Sequence, residues 1–502
     1  MSWQPIGGNQ MQSTAAGQRF EPVCFMYSFR QRSGNLTIVL LALIALAGGG
    51  RLAASEPGRV KWSAPSHEGR AWVEHADCSQ PVRDGGRLVL RTEFGFVTAR
   101  TGQSNRLDCQ VRLAAYTEDL KQAKAYLRSF EVNRSSREGI VYVSGKSPRG
   151  QRHRPELRAQ FDIVVPPRFN LDLETQAGDV GVDRLEGQLR VSTGGGDIRT
   201  GDVAGPVKVE TAIGNITLGN VGQRLEASTQ GGSIRVGNVR GNAVLGTGGG
   251  EIVAGPIDGA TDARSGGGDI VLRGAAGPLN AETGGGQIQI GDCGSTVRAE
   301  TEGGNIRLQS ARGMVRAQTG GGSIDLFRVQ SSVHATSGAG TILAEINANK
   351  QTFALSRLET SVGDVEVFVP ADLPLSLEAI IDEVAGQKIL SDFPLLVQGG
   401  NDQDFGMGAV RGEGVLNGGG KRLVIHTLMG NIEIHKLDSP ILSELRRRQE
   451  MYWSRWQALE GNLLQQNLRN VQHPRQLRIE RQQRRLQEQL RKPTAREVED
   501  RN

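Results

Sequence analysis

Aromatic side chains make up only 5% of this 502-residue chain, and Phe327 is the sole aromatic between positions 175 and 346. A platform for stacking sugar rings therefore has little to be built from over that stretch. Cysteine is equally scarce, with four residues at 24, 78, 109 and 293 and no CxxC pair or Cys/His spacing suited to a metal. The longest apolar run falls well short of the roughly 20 residues that a membrane-spanning helix needs. A charge excess of one sign is missing from the body as well. From Lys436 to Asn502 there are 15 Lys and Arg against 9 Asp and Glu, which outweighs the whole-chain excess of +5. What remains is nearly neutral, which argues against a groove for nucleic acid.

Glycine, by contrast, is abundant at 68 residues, and it follows no three-residue period, so a collagen helix is excluded. It follows a longer one. Thr or Ser stands at 175, 193, 211, 229, 247, 265, 283, 301, 319 and 337, always 18 residues apart. Three residues after each comes Gly178, Gly196, Gly214, Gly232, Gly250, Gly268, Gly286, Gly304, Gly322 or Gly340, and two further on a β-branched residue, from Val180 and Ile198 through Ile342. A fixed period near 20 residues is the mark of a solenoid, whose repeats cannot bury their apolar faces alone. Within the unit that starts at Thr193, Ile198 and Thr200 alternate, Val203 follows, and Val207 and Val209 alternate again. The pattern predicts two short strands per coil with a third apolar point between them and glycine at the turns. Identical spacing places each inward side chain over its equivalent, and ten coils at about 4.8 Å make a rod of roughly 48 Å.

Four regions follow. Residues 1–58 hold LTIVLLALIALA (36–47) behind Arg30 and Arg32, which suits the core of an export signal. Both a cleaved signal and a retained membrane anchor fit it, and a start at Met26 would make residues 1–25 a spurious extension. Residues 59–168 read as a small β-rich capping domain, with strands at 87–91, 109–113, 139–145 and 157–165 and one helix in TEDLKQAKAYLRSF, capped by Thr117. A cap is expected because an exposed coil end is a sheet edge. Residues 169–437 form the parallel β-solenoid, strict from 175 to about 346. An eleventh unit, TSVGDVEV (360–367), is out of phase, an insertion occupies about 370–420, and a closing coil is read at 421–437. Residues 438–502 form a basic Arg/Gln-rich tail, helical or partly disordered, with Ser439-Pro440 as a helix start and a stripe of Leu445, Tyr452, Trp456, Leu459 and Leu463. The fold class is thus mainly β.

The chemistry is sparse. Cys78 and Cys109 are candidates for a disulfide in an oxidising compartment, whereas Cys293 takes a position filled elsewhere by aliphatic residues and reads as a buried thiol. The residue after each repeat glycine runs Asp179, Asp197, Asn215, Ser233, Glu251, Asp269, Gln287, Asn305, Ser323, Thr341. Only four of these ten are acidic, so a capping role in the turns explains the column better than calcium or a carboxylate pair for glycan cleavage. The Thr/Ser column shares the parity of the inward residues, and His334 reads as a solvated strand residue. The outward pairs Arg190 with Lys208 and Arg298 with Arg316 read as solubilising charge. No catalytic, metal or cofactor-binding residue is expected, and the GxG patterns lack the strand–loop–helix setting of a phosphate site.

The leading strands, the passage FDIVVPPRFNLDLETQAGDV (161–180) and the recurrent T-x-x-G-[DNS]-I units resemble the bacterial putative-adhesin family of β-strand-repeat domains, over residues 85–437. The resemblance implies an exported β-solenoid of the cell envelope, in the periplasm, on the membrane or at the surface, and supplies no catalytic residues. The expected function is a non-catalytic envelope scaffold or surface-binding module, with envelope polysaccharide or protein as partner, the membrane as a further contact if the leader is retained, and no nucleic acid. Competing expectations are a β-helix polysaccharide-processing enzyme and an envelope-stress or signalling accessory acting through anchor and tail.

Overall fold

The computed structural model describes residues 55–102, 105–148, 156–383, 386–399, 408–451 and 453–454. The leader and most of the basic tail, including Tyr452, Trp456, Leu459 and Leu463, lie outside them.

The 18-residue spacing produces a stack of parallel coils. Leu189–Gly195, Val207–Ile213 and Leu225–Thr229 pair side by side in one long sheet, sheet 1. Ile198–Thr200, Ile216–Leu218 and Ile234–Val236 do the same in the second, sheet 2. Ile198, Ile216 and Ile234 stand in register in a single file and are fully buried. Between the sheets runs a third file of single bridges, Leu185, Val203, Val221, Val239, Ile257 and Ala275. Cys293, Ala311 and Val329 continue it within longer strands of sheet 2, and all are buried. The fold is therefore mainly β, a parallel solenoid with three apolar files enclosing one dry core.

The polar columns complete the turns. The repeat hydroxyls are buried, and from Thr193 onward each donates to the glycine carbonyl of the preceding coil: Thr193 to Gly178 at 3.1 Å, Thr247 to Gly232 at 2.7 Å, Ser337 to Gly322 at 2.9 Å, whereas Thr175 bonds Ala177 O in its own turn. The repeat glycines stack as closely. A Cβ on Gly196 would overlap the carbonyl of Gly178, and one on Gly250 that of Gly232. Close approach is the shared requirement, since a positive φ is found only at some of them, such as Gly214 at 153°. The mixed column beside the glycines caps backbone donors one coil on: Asp179 Oδ1 accepts from Asp197 N at 2.9 Å, Asp197 Oδ1 from Asn215 N at 2.8 Å, and Asn305 Oδ1 from Ser323 N at 2.8 Å. Asp, Asn and Ser interchange there because each offers one short acceptor.

The ends differ from the sequence reading. Arg87–Thr92 and Phe96–Thr101 fall within the span expected to form the cap, but they make a coil of their own, pairing in parallel with Asn170–Thr175 and Val180–Val182. The sequence carries the signature there, as Thr92, Gly95 and Val97. Beyond it, Ile140–Lys146 and Leu157–Val165 add one more parallel layer. Antiparallel strands then close the end, Glu131–Arg137 and Ser55–Arg59 in sheet 1, Arg106–Ala115 and Ala71–Asp77 in sheet 2. The strand Ser55–Arg59 straddles the boundary read between leader and cap at residue 58. The helix is shorter than expected, Leu120–Leu127, and its N-cap is Asp119, which accepts from Lys121 N; Thr117 lies outside and bonds Gln122 instead.

At the other end the coil at 421–436 is not the closing one. Lys421–Met429 lies between Ser356–Val362 and Leu375–Ile381, and Ile432–Lys436 between Val365–Val369 and Ile389–Ser391. The last coil in sequence is thus slotted between two earlier ones. The outermost strands are Val410–Leu416 and Leu396–Gly399, both antiparallel.

The tail starts as an anchored helix, spanning 440–451 in the described residues. Ser439 Oγ accepts from Ile441 N at 3.3 Å, with Pro440 in the first turn, where its missing N–H costs nothing. Its inward face holds the buried Leu442 and Trp453, with Leu445, Arg446 and Gln449 partly buried. Arg446 makes two bonds, 3.1 and 2.6 Å, to the fully buried carboxylate of Glu345 in sheet 2, and Glu450 approaches Arg328 of the preceding coil at 3.9 Å. The 5.4 Å helical pitch is close enough to the 4.8 Å strand spacing for one turn to meet each coil.

Candidate binding surface

Much of the charge on the outer face of sheet 1 is paired, although Arg190, beside Lys208, makes no ion pair among the described residues. Lys208 lies 3.0 Å from Glu210 and 3.3 Å from Glu226, and these carboxylates raise its pKa. Arg298 and Arg316 share Glu300, at 2.8 and 3.7 Å. His334 sits in register between Arg316 and Arg357 on that face.

The corner between sheet 2 and the third file is different. Gly201-Asp202, Gly219-Asn220 and Gly237-Asn238 turn the chain at the same point of three consecutive coils. Asp202 Oδ1 accepts from Asn220 N at 2.8 Å and Asn220 Oδ1 from Asn238 N at 3.0 Å, so the turns form a ladder. Beside it opens a groove of about 670 Å³, lined by this ladder and by Arg168, Arg184 and Arg240. Arg168 is tied to Asp84 at 2.7 Å, whereas Arg184 and Arg240 make no ion pair among the described residues and keep their guanidinium donors available. The groove runs along the stack, so whatever fits it is extended. None of these arginines stood out in the sequence, because each belongs to a turn of a different coil.

Cys78 and Cys109 form a disulfide with Cα atoms 4.9 Å apart, cross-linking the cap between the end of Ala71–Asp77 and Arg106–Ala115. Cys293 is a buried free thiol, its pKa pushed up to about 12 by burial. No helix among the described residues is long and apolar enough to cross a membrane.

No protein-family model and no curated protein matches the chain. Among solved structures it is similar to one described as a putative cell adhesion protein from Clostridium sporogenes, at 10% identity and a TM-score of 0.15, covering 72% of this chain and 98% of that one. It is also similar to one described as a putative adhesin from Bacteroides fragilis, at 14% identity and a TM-score of 0.25, covering 50% and 97%. Both bear adhesin names, the same name as the family that the repeat units resemble. At these scores the likeness carries no argument of its own.

Proposed function

We propose that the chain is an exported, non-catalytic, adhesin-like β-solenoid that acts at the cell envelope as a scaffold and binds a linear polysaccharide along its corner groove. The observation that carries the reading is the groove itself, where one turn recurs on three coils beside arginines free to donate. A ligand that repeats along its own length suits a site that repeats along the rod, and guanidinium forks bond hydroxyls and carboxylates of a sugar chain. Export is supported by the apolar run at 36–47 and by the cap disulfide, a bond that persists in oxidising compartments. The test joins cell fractionation to a glycan-array screen of the purified chain and its Arg184→Ala/Arg240→Ala variant. Binding to an envelope glycan that falls at least tenfold in the variant is expected. Recovery in the cytoplasm, equal binding by both proteins, or turnover of a glycan would refute the proposal.

A further inference from the structure

Three carboxylates and one imidazole converge where the out-of-order coil meets its neighbours. Glu366 belongs to Val365–Val369, Glu433 and His435 to Ile432–Lys436, and Asp392 follows Ile389–Ser391. Parallel register sets Glu366 directly opposite Glu433 and Phe368 opposite His435. His435 Nε2 lies 3.2 Å from Glu433 Oε2, and Nδ1 lies 3.4 Å from Asp392 Oδ2. One ligand atom from each of Glu366, Glu433 and His435 falls within 4.8 Å of the other two. The imidazole, 14% exposed, stacks on Phe368 at 5.3 Å, which fixes the plane of the ring.

Like charges directly opposite on adjacent strands repel. Elsewhere this chain resolves the problem with arginine. Glu282 faces Glu300, with Arg264 on the first and Arg298 on the second. Glu378 faces Glu413, with Arg422 on the first and Arg411 near both. At Glu366 and Glu433 no Lys or Arg makes an ion pair with either acid among the described residues. The one neighbour offered is an imidazole, which is a ligand as well as a base, already backed by a carboxylate on its other nitrogen. A carboxylate–imidazole pair of this kind orients histidine toward a metal.

We propose that Glu366, Glu433 and His435 bind a divalent cation of the zinc class, with Asp392 orienting the imidazole from behind. Two carboxylates and one neutral imidazole suit zinc, which takes oxygen and nitrogen at about 2.0–2.2 Å and leaves a fourth position for water. The ligands come from two neighbouring coils and the orienting acid from a third segment, so the ion would staple the slotted coil in place. The sequence conceals the site, since its residues are spread over 366–435 with no short motif.

The test is calorimetric titration of the metal-free full chain with zinc chloride, alongside thermal unfolding with and without zinc. Saturable binding at one site is expected, weakened at least tenfold in His435→Ala and Glu366→Gln and 10- to 100-fold in Asp392→Asn. His75→Ala, at the opposite end of the stack, should leave the affinity unchanged. Glu366→Gln is nearly isosteric and keeps the test open should His435→Ala not fold: it should unfold at a higher temperature than the metal-free parent yet lose the rise that zinc gives. Absence of saturable binding, equal affinity in parent and variants, or tighter binding of calcium than of zinc would overturn the assignment.

Discussion

Thr319 Oγ1 donates a 2.8 Å hydrogen bond to the carbonyl of Gly304 in the preceding coil and accepts one of 3.1 Å from the N–H of Gly322 in its own turn. One buried hydroxyl thus serves two backbone groups that water cannot reach. Thr261, also buried, faces the same core with a hydroxyl that has no hydrogen-bond partner. The same substitution should therefore act with opposite signs at the two sites. Thr319→Val is expected to cost about 1–3 kcal/mol by stranding its partners, whereas Thr261→Val removes an unsatisfied group and is expected to be neutral or to stabilise by about 1 kcal/mol. Denaturant titration of both variants decides the matter.

Adjacent glycines in one turn should respond as differently. Gly250→Ala drives a methyl into the carbonyl of Gly232, whereas a methyl on Gly249 meets nothing within 4 Å. Overpacking against backbone is expected to cost about 1–3 kcal/mol or more in the first variant. The second should stay within about 0.5 kcal/mol of the parent, as surface changes usually do. Chemical denaturation of the pair checks this, and equal effects would mean that the coils can part locally.

The anchored helix rests on a charge that has no water. Removing Arg446 leaves the Glu345 carboxylate buried and uncompensated, with a cost that approaches about 3–5 kcal/mol for a fully buried pair and is less here because Arg446 is about one-third exposed. Arg446→Ala should release the helix before the solenoid melts, which limited proteolysis at 440–454 would register as faster cleavage. Replacing both residues by leucine should restore much of the docking.

Thiol chemistry separates the cysteines. With its thiol pushed up to about 12 and buried, Cys293 should resist alkylation at pH 8 until the protein unfolds. Reducing the Cys78–Cys109 bond frees a loop of sequence separation 31 and should cost about 3–4 kcal/mol in the loop-entropy account. Melting curves with and without reductant, and mass spectrometry of alkylated native protein, measure the two effects.

The period was legible because each position of the 18-residue unit meets the same surroundings on every coil, so Ile198, Ile216 and Ile234 repeat for one reason. Thr92, Gly95 and Val97 carry that same signature, but 83 residues separate Thr92 from Thr175, and the excursion that builds the cap fills the gap. A period cannot be seen from one instance. Chain order also misled at 421–436, because sequence shows which residues form a coil but not between which coils it lies. The helix start at Ser439-Pro440 was legible, but of the apolar stripe only Leu445 lies among the described residues; the face that packs there centres on Arg446, and an apolar count cannot find a residue chosen for the acid beneath it. The groove arginines and the Glu366–Glu433–His435 group were hidden for a related reason: both are assembled by stacking from segments that share no local motif.

The slotted coil bears on how the rod takes a load. A pull transmitted through the tail arrives at 421–436, whose strands have a parallel neighbour on both sides in each sheet. Tension there would have to shear four ladders at once, where a terminal edge strand would unzip one bond at a time.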